Sequence, residues 1–332
     1  MLTVLVIVLW TVFIPFGIIL GLVQLFWHIR KFVHWVSISK NKNLNKYGAN
    51  CENSWAVITG ASSGIGEKMV FEMCKTGFNL VIIARREAHL KRVQELCNEL
   101  SPSCKVRIVL ADLSKAYEIQ ETLMEQIQAV VGIDGEIRIL MHMAGNSDLA
   151  VHLTDKTLVR NVEVMRLVVE STLVFVQNFT EMMCKRSKGR RCAILTCGAL
   201  TAYTPAPTFA ASSANKHYVR ALTQALASEY DSIDFMIAHP IAVRSEILNG
   251  ITVHDTGGWI IDADEFARNI IGEMGSGAVD LNGHWKHDLI VYILYELLPL
   301  SWVQHWFYKK RVSLNSQYLG RPIDSRHILE KF

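Results

Sequence analysis

The sequence predicts an α/β fold, a doubly wound parallel sheet, on three observations. Short apolar runs of strand length recur along the chain, each followed by an amphipathic stretch of helix length. The first strand-to-helix turn is punctuated by glycines. No linker and no internal repeat divides the alternating region, so it reads as one domain with right-handed crossovers.

The elements follow in order. Trp55–Thr59 (WAVIT) has the continuous apolar character of a buried parallel strand, and a helix follows from Gly64 to Thr76. Asn79–Ala84 is the next strand and Glu87–Leu100 its helix. Val106–Ala111 then pairs with a helix over Tyr117–Val131, and Ile137–Met143 is the fourth strand. One long helix over Thr154–Lys185 precedes the strand Cys192–Thr196. A helix over Phe209–Glu229 and the strand Phe235–Ala238 complete the series.

Composition narrows the function classes. Of 332 residues half are hydrophobic and 20% charged, which excludes a disordered or collagenous chain. Lys+Arg 34 against Asp+Glu 31 leaves a net charge of +3, too small and scattered for nucleic acid as the main partner. Seven cysteines at irregular spacing, without a CxxC pair, form neither a disulfide framework nor a zinc site; no metal is expected. They read as reduced thiols facing the cytosol.

The two ends are apolar for a different reason. Met1 to Trp27 contains no charged residue and exceeds the roughly 20 residues that a bilayer requires, which predicts an N-terminal transmembrane helix. It lacks the features of a cleaved signal peptide. Pro15 and Gly17 permit either a kinked span or a hairpin. Arg30, Lys31, Lys40, Lys42 and Lys46 all follow the run, which leaves the rest of the chain on the cytosolic side. Leu289–Tyr308 is apolar but carries Glu296, Pro299 and His305, and ends in Lys309, Lys310 and Arg311. That mixture of aromatic and basic residues fits a helix lying in the headgroup region.

The segment Thr59-Gly60-Ala61-Ser62-Ser63-Gly64-Ile65-Gly66 carries the most specific signal. Its glycines let the backbone turn tightly and approach a pyrophosphate seated on a helix N-terminus. The GxxxGxG spacing and the wording TGASSGIG resemble the short-chain dehydrogenase/reductase family, over roughly Asn53 to Gly283. With both ends included, the chain resembles that family's membrane-bound members. These are hydroxysteroid dehydrogenases, 3-ketoacyl-CoA and 3-ketosphinganine reductases, and hydroxysteroid-dehydrogenase-like proteins. The resemblance implies a Rossmann-type domain over 53–283, preceded by an anchor (1–30) and a basic linker (31–52) and followed by a membrane-associated tail (284–332). An endoplasmic reticulum membrane, a lipid droplet or a mitochondrial membrane would suit it.

The resemblance also implies NADP(H) as cofactor, at Gly60, Ser62, Ser63, Gly64, Ile65 and Gly66. Arg85 and Arg86 stand after the second strand, where an Asp would favour NAD, and a guanidinium fork matches a 2′-phosphate. Asp112 and Leu113 fall at the adenine position. Ala144 and Gly145 match the second half of the family's NNAG, with His142 and Met143 in place of both Asn; His142 reads as packed or hydrogen-bonded. Pro240 and Ser245 match the segment that closes over the nicotinamide, where Ile241 replaces Gly.

The catalytic set departs from the family. Lys216 matches the Lys of YxxxK, but Ser212 stands one helical turn earlier where Tyr is required. Ala199 replaces the carbonyl-orienting Ser, and Met165 or Leu167 falls where the family has Asn. Losing a positioned acid costs about 10²–10⁴-fold. Losing an orienting donor costs a further ~10²–10³-fold. The expectation is an inactive relative that keeps an NADP(H) pocket and serves as scaffold, regulator or structural subunit. Its partners would be the lipid bilayer and a protein partner or a second copy. The alternatives are an NADPH-dependent reductase of a lipid or steroid ketone, with Tyr203 or water as donor, and a ligand-binding module without turnover.

Overall fold

The structure is a computed structural model that describes residues 11, 14–38, 44–49, 52–145, 153–186, 189–241, 243–244, 259–299 and 301–305. It divides into two compact units, Met1–Asn41 and Lys42–Phe332. The first holds helix α1 (Ile14–Ile38), on which Phe16, Ile18, Ile19, Leu22, Val23 and Phe26 are among the exposed apolar side chains. Among the described residues no helix is long and apolar enough to cross a membrane. The part of α1 before its first charged residue, Arg30, covers residues 14–29 and spans only about 24 Å at 1.5 Å per residue, short of a ~30 Å hydrocarbon core. Residues 1–10 and 12–13 of the predicted span lie outside the described residues.

The second unit is the α/β domain. Its strands are β1 (Ser54–Thr59), β2 (Asn79–Ala84), β3 (Val106–Leu110), β4 (Glu136–His142), β5 (Cys192–Cys197), β6 (Ile233–Ala238), β7 (Val243–Arg244), β8 (Ile261–Asp262) and β9 (Asp280–Leu281). Seven of them form a parallel sheet in the order β3-β2-β1-β4-β5-β6-β9, while β7 and β8 pair separately. The order reverses between β1 and β4, which opens a crevice at the carboxyl ends of those strands.

Alternation within the strands fills two cores. Ala56 and Ile58 face α2 (Gly64–Cys74) and α3 (Glu87–Leu100), through Met69, Met73, Leu90 and Val93. Trp55 and Val57 face α4 (Ala116–Val131), through Leu123 and Ile127. Every residue of β1 and β2 is buried, which explains why these strands read as unbroken apolar runs.

The long helix expected over 154–185 is divided. After a 3₁₀ turn at Leu153–Asp155, Thr157 caps α5 (Leu158–Met165) by accepting the Arg160 N–H. A π turn, Arg166–Glu170, leads into α6 (Ser171–Arg186). Ser171 and Thr172 donate their hydroxyls back to the carbonyls of Leu167 and Val168, which competes with regular helical bonding there. The domain continues with α7 (Ala210–Glu229), α8 (Ala263–Glu273) and α9 (Trp285–Tyr292). The single helix expected over 289–308 is likewise broken: α9 passes into a π turn, Ile293–Leu297, and helix resumes at 301–305 beyond Pro299.

A polar clasp fixes the start of the domain. Tyr47 donates its hydroxyl to Asp234 at 2.5 Å, Lys46 lies 2.7 Å from the same carboxylate, and Arg191 grips its other oxygen at 2.7 Å. Burial, then the neighbouring Asp234, pushes the Tyr47 phenol far above its usual range, so it remains a donor.

The first glycine turn admits one direct test. An idealised Cβ on Gly66 would lie 2.3 Å from the Gly60 carbonyl oxygen. Gly66→Ala should therefore destabilise the domain by about 2–3 kcal/mol, seen as a lower urea midpoint for the full chain.

Candidate functional site

The site is assembled where β1, β4 and β5 end. At Gly60 φ is +67°, and an idealised Cβ would lie 2.9 Å from both N and Cα of Ala144, so only glycine fits. Gly64 turns the chain into α2 with φ +61°. Ser63 precedes α2 but makes no side-chain cap, which leaves the first amides of the helix for an anion. Ile65 packs against the first core. Arg86 closes this end: Nη2 donates to Ser63 Oγ at 2.6 Å and Ser62 Oγ at 3.2 Å. Uncapped amides, two hydroxyls and a guanidinium are a donor set that fits a phosphate. Arg85 is exposed on the same turn.

Asp112 lies beyond β3, with Oδ1 accepting the amide and hydroxyl of Ser114, and thereby caps a short 3₁₀ turn. Leu113 beside it is buried in the second core. Pro240 follows β6, half-buried, and Ser245 lies outside the described residues.

Lys216, on α7, reaches back across the strand ends. Its Nζ donates to the Cys197 carbonyl at 2.7 Å and lies 3.7 Å from an idealised Cβ on Gly145. Ser212 stands half-buried one turn earlier on α7. Ala199 leaves β5 in extended conformation and opens a 3₁₀ turn, Leu200–Ala202. The turn is fastened to α7 by Ser213, whose hydroxyl faces the carbonyls of Thr201 (3.0 Å) and Thr204 (3.2 Å) and accepts the Ala206 N–H.

Tyr203 points elsewhere. It donates its hydroxyl to Asn282 at 2.9 Å, stacks on Tyr295 at 5.4 Å, and lies under the Arg220 guanidinium at 4.3 Å. Burial foremost, with Asp280 adding to it, holds its phenol well above its ordinary range. Asp280 in turn binds Arg220 at 2.7 Å, Gln224 at 2.8 Å and His239 Nε2 at 2.9 Å, joining α7, β6 and β9. Gly198 is required beside that group, since a Cβ there would lie 2.4 Å from the His239 ring.

His142 is buried and hydrogen-bonded on both ring nitrogens. Thr59 Oγ1 accepts the Ala144 N–H, so its own hydrogen goes to His142 Nδ1, 3.1 Å away. Ser171 spends its hydrogen on the Leu167 carbonyl and so accepts from His142 Nε2 at 3.0 Å. The network assigns the Nε2–H tautomer. Burial chiefly, and Lys216 secondarily, depress its pKa to about 3. His142 is thus both packed and hydrogen-bonded, as its sequence context suggests, but its partner Ser171, 29 residues on, and the π turn beside it have no local signal in the sequence.

His142 stays neutral when folded and protonates near pH 6.5 when unfolded, so its contribution is complete above pH 6.5 and fades as pH falls towards 3. Between pH 7 and 4.5 the wild type should lose roughly 2–3 kcal/mol more than His142→Asn, at about 1.4 kcal/mol per unit, measured by urea unfolding at both values. Thr208 is the second case, a β-branched residue at φ 68° whose buried hydroxyl finds no hydrogen-bond partner among the described residues. Thr208→Gly relieves both and should raise stability by about 1 kcal/mol, seen as a higher midpoint in the same titration.

Comparison with known proteins agrees with this architecture. The 17-beta-hydroxysteroid dehydrogenase type 3 of Mus musculus is 27% identical over 95% of this chain and 99% of its own. A very-long-chain 3-oxoacyl-CoA reductase of Kluyveromyces lactis is 27% identical, covering 85% of this chain and 82% of that protein. Hydroxysteroid dehydrogenase-like protein 1 of Gallus gallus is 26% identical over 83% and 79%. Among solved structures, a 7beta-hydroxysteroid dehydrogenase superposes with TM-score 0.67 at 16% identity, over 80% of this chain and 98% of that one. A short-chain dehydrogenase from Sphingobium yanoikuyae in complex with NADPH gives 0.59 at 21%, over 69% and 87%. Residues 54–255 match the short chain dehydrogenase family, and the chain belongs to that family.

Proposed function

We propose that this chain is a membrane-held family member that binds NADP(H) but lacks the means to reduce a ketone at ordinary enzyme rates. It acts as a nucleotide-binding scaffold or regulatory subunit. The observation that carries this reading is Lys216, held on the Cys197 carbonyl beside Gly145, with only Ser212 at the position one turn before it. The uncharged run Met1–Trp27 supports the membrane placement.

When bound, NADPH supplies the hydride. Arg86, Ser62 and Ser63 would hold a 2′-phosphate, the open amides of α2 the pyrophosphate, and Lys216 the ribose hydroxyls. What the pocket lacks is a proton donor. An alkyl hydroxyl such as Ser212 is far less acidic than a phenol, and Ala199 offers a carbonyl no hydrogen bond. Tyr203 does not replace them, because its hydrogen is committed to Asn282 and burial makes it a weaker acid.

A second reading, a working NADPH-dependent reductase of a lipid or steroid ketone, draws on the names of the relatives alone. One set of assays separates the two. The purified full chain should bind NADPH more tightly than NADH by about 10–150-fold, the worth of charge-assisted bonds to one phosphate, and Arg86→Asp should abolish the preference. Equal affinities in the wild type would refute the phosphate site. NADPH oxidation with 3-ketoacyl and steroid ketones should stay near background, and Ala199→Ser with Ser212→Tyr should raise kcat. Ordinary turnover in the wild type, lost in Tyr203→Phe, would establish the reductase instead.

A further inference from the structure

The end of the domain shows a surface that the nucleotide pocket does not use. Trp285, Leu289 and Ile293 recur every fourth residue on α9 and its π turn, and all three are exposed. Leu298 and Trp302 extend the row beyond the bend, with Trp302 68% exposed. Lys286 stands 5.9 Å from the Trp285 ring centroid, and Lys309, Lys310 and Arg311 follow in the sequence. Large apolar side chains left in water on one face mark a contact surface. Exposed tryptophans with Lys286 beside the first and three cations following in the sequence suit the boundary of an anionic bilayer.

Another face of the same segment is tied to the loop that follows β5. Asp288 accepts the amide of Asn282 at 2.8 Å, Asn282 accepts the Tyr203 hydroxyl, and Tyr295 stacks on the Tyr203 ring. Tyr203 directly follows the Leu200–Ala202 turn that Ala199 opens.

We propose that the exposed face from Trp285 to Trp302 docks on an anionic lipid surface, and that the Asp288–Asn282–Tyr203 tether makes the order of the 199–208 loop depend on that docking. Tyr203 is then a positioning residue. The proposal rests on the membrane placement proposed above, and the experiment tells the two apart.

The full chain is reconstituted in phosphatidylcholine–phosphatidylserine vesicles doped with a phospholipid bearing a diazirine in its acyl chain, irradiated, and mapped by mass spectrometry. Adducts are expected both in residues 1–27 and between 285 and 305. Leu289→Glu/Ile293→Glu/Trp302→Glu should lose about tenfold of the second group and keep the first. In the same vesicles, amide exchange over 199–208 should be about tenfold faster in the triple variant, and in Tyr203→Phe with the lipid adducts retained. Should the triple variant not fold, Trp302→Glu alone, at the most exposed position, replaces it in both readouts. Adducts confined to residues 1–27 overturn the docking surface while leaving the anchor intact, and adducts in neither region overturn the membrane placement itself. Chain-to-chain cross-links through 285–302 would identify the face as a contact between two copies and refute the lipid. Unchanged exchange over 199–208 in the triple variant overturns the coupling.

Discussion

Between the ends of β1 and β4 there is room for a hydrogen atom and nothing larger. Gly60 lies against the backbone of Ala144, and Gly66 lies against Gly60, so turn, strand end and helix start are stacked backbone on backbone. Everything in the candidate site refers to that contact. It brings Thr59 within reach of the Ala144 amide and sets Thr59 opposite His142 in the sheet. It also places Gly145 where Lys216 can approach from α7. A parallel sheet provides such a crevice only where its strand order reverses, and here the reversal and the glycines coincide.

The polar groups around this crevice divide into two kinds. His142, Ser171, His239 and Asp280 satisfy one another inside the fold, and losing one partner would strand another in a dry interior. Ala199 joins the second group only through its backbone carbonyl, 3.2 Å from His239 Nδ1, and Ser212 has no side-chain hydrogen bond among the described residues, so neither side chain has much hold on folding. Such a division lets a family member exchange its reacting side chains without disturbing the frame. Lys216 is of both kinds, since its Nζ bridges β5 and α7 through the Cys197 carbonyl.

Features encoded by local pattern could be read from the sequence: β2 and α3 run between the residues expected, because apolar run length and period are local properties. The position of Arg86 directly after a strand is likewise local, and the structure adds its bonds to Ser62 and Ser63. What escaped depended on partners distant in the chain. The π turn at Arg166–Glu170 is invisible to periodicity because residues 154–185 remain helical in pattern throughout. The place of Tyr203 in the loop after β5 is visible in the sequence, but the groups that engage it, Asn282 and Arg220, lie 79 and 17 positions away, and no spacing rule connects them. The strand β9, two residues long, is too short for any pattern.

The clasp at Lys46, Tyr47 and Asp234 has a mechanical consequence. Tension applied at the start of the domain would otherwise peel β1 from its neighbours one hydrogen bond at a time. Tyr47 and Lys46 divert it into Asp234, near the start of β6, three places along the sheet from β1. There the pull is shared with Arg191 and with the bonds of β6 to β5. A pull on the N-terminal side of the domain is thus taken up at β6 and does not reach the glycine turn beyond β1.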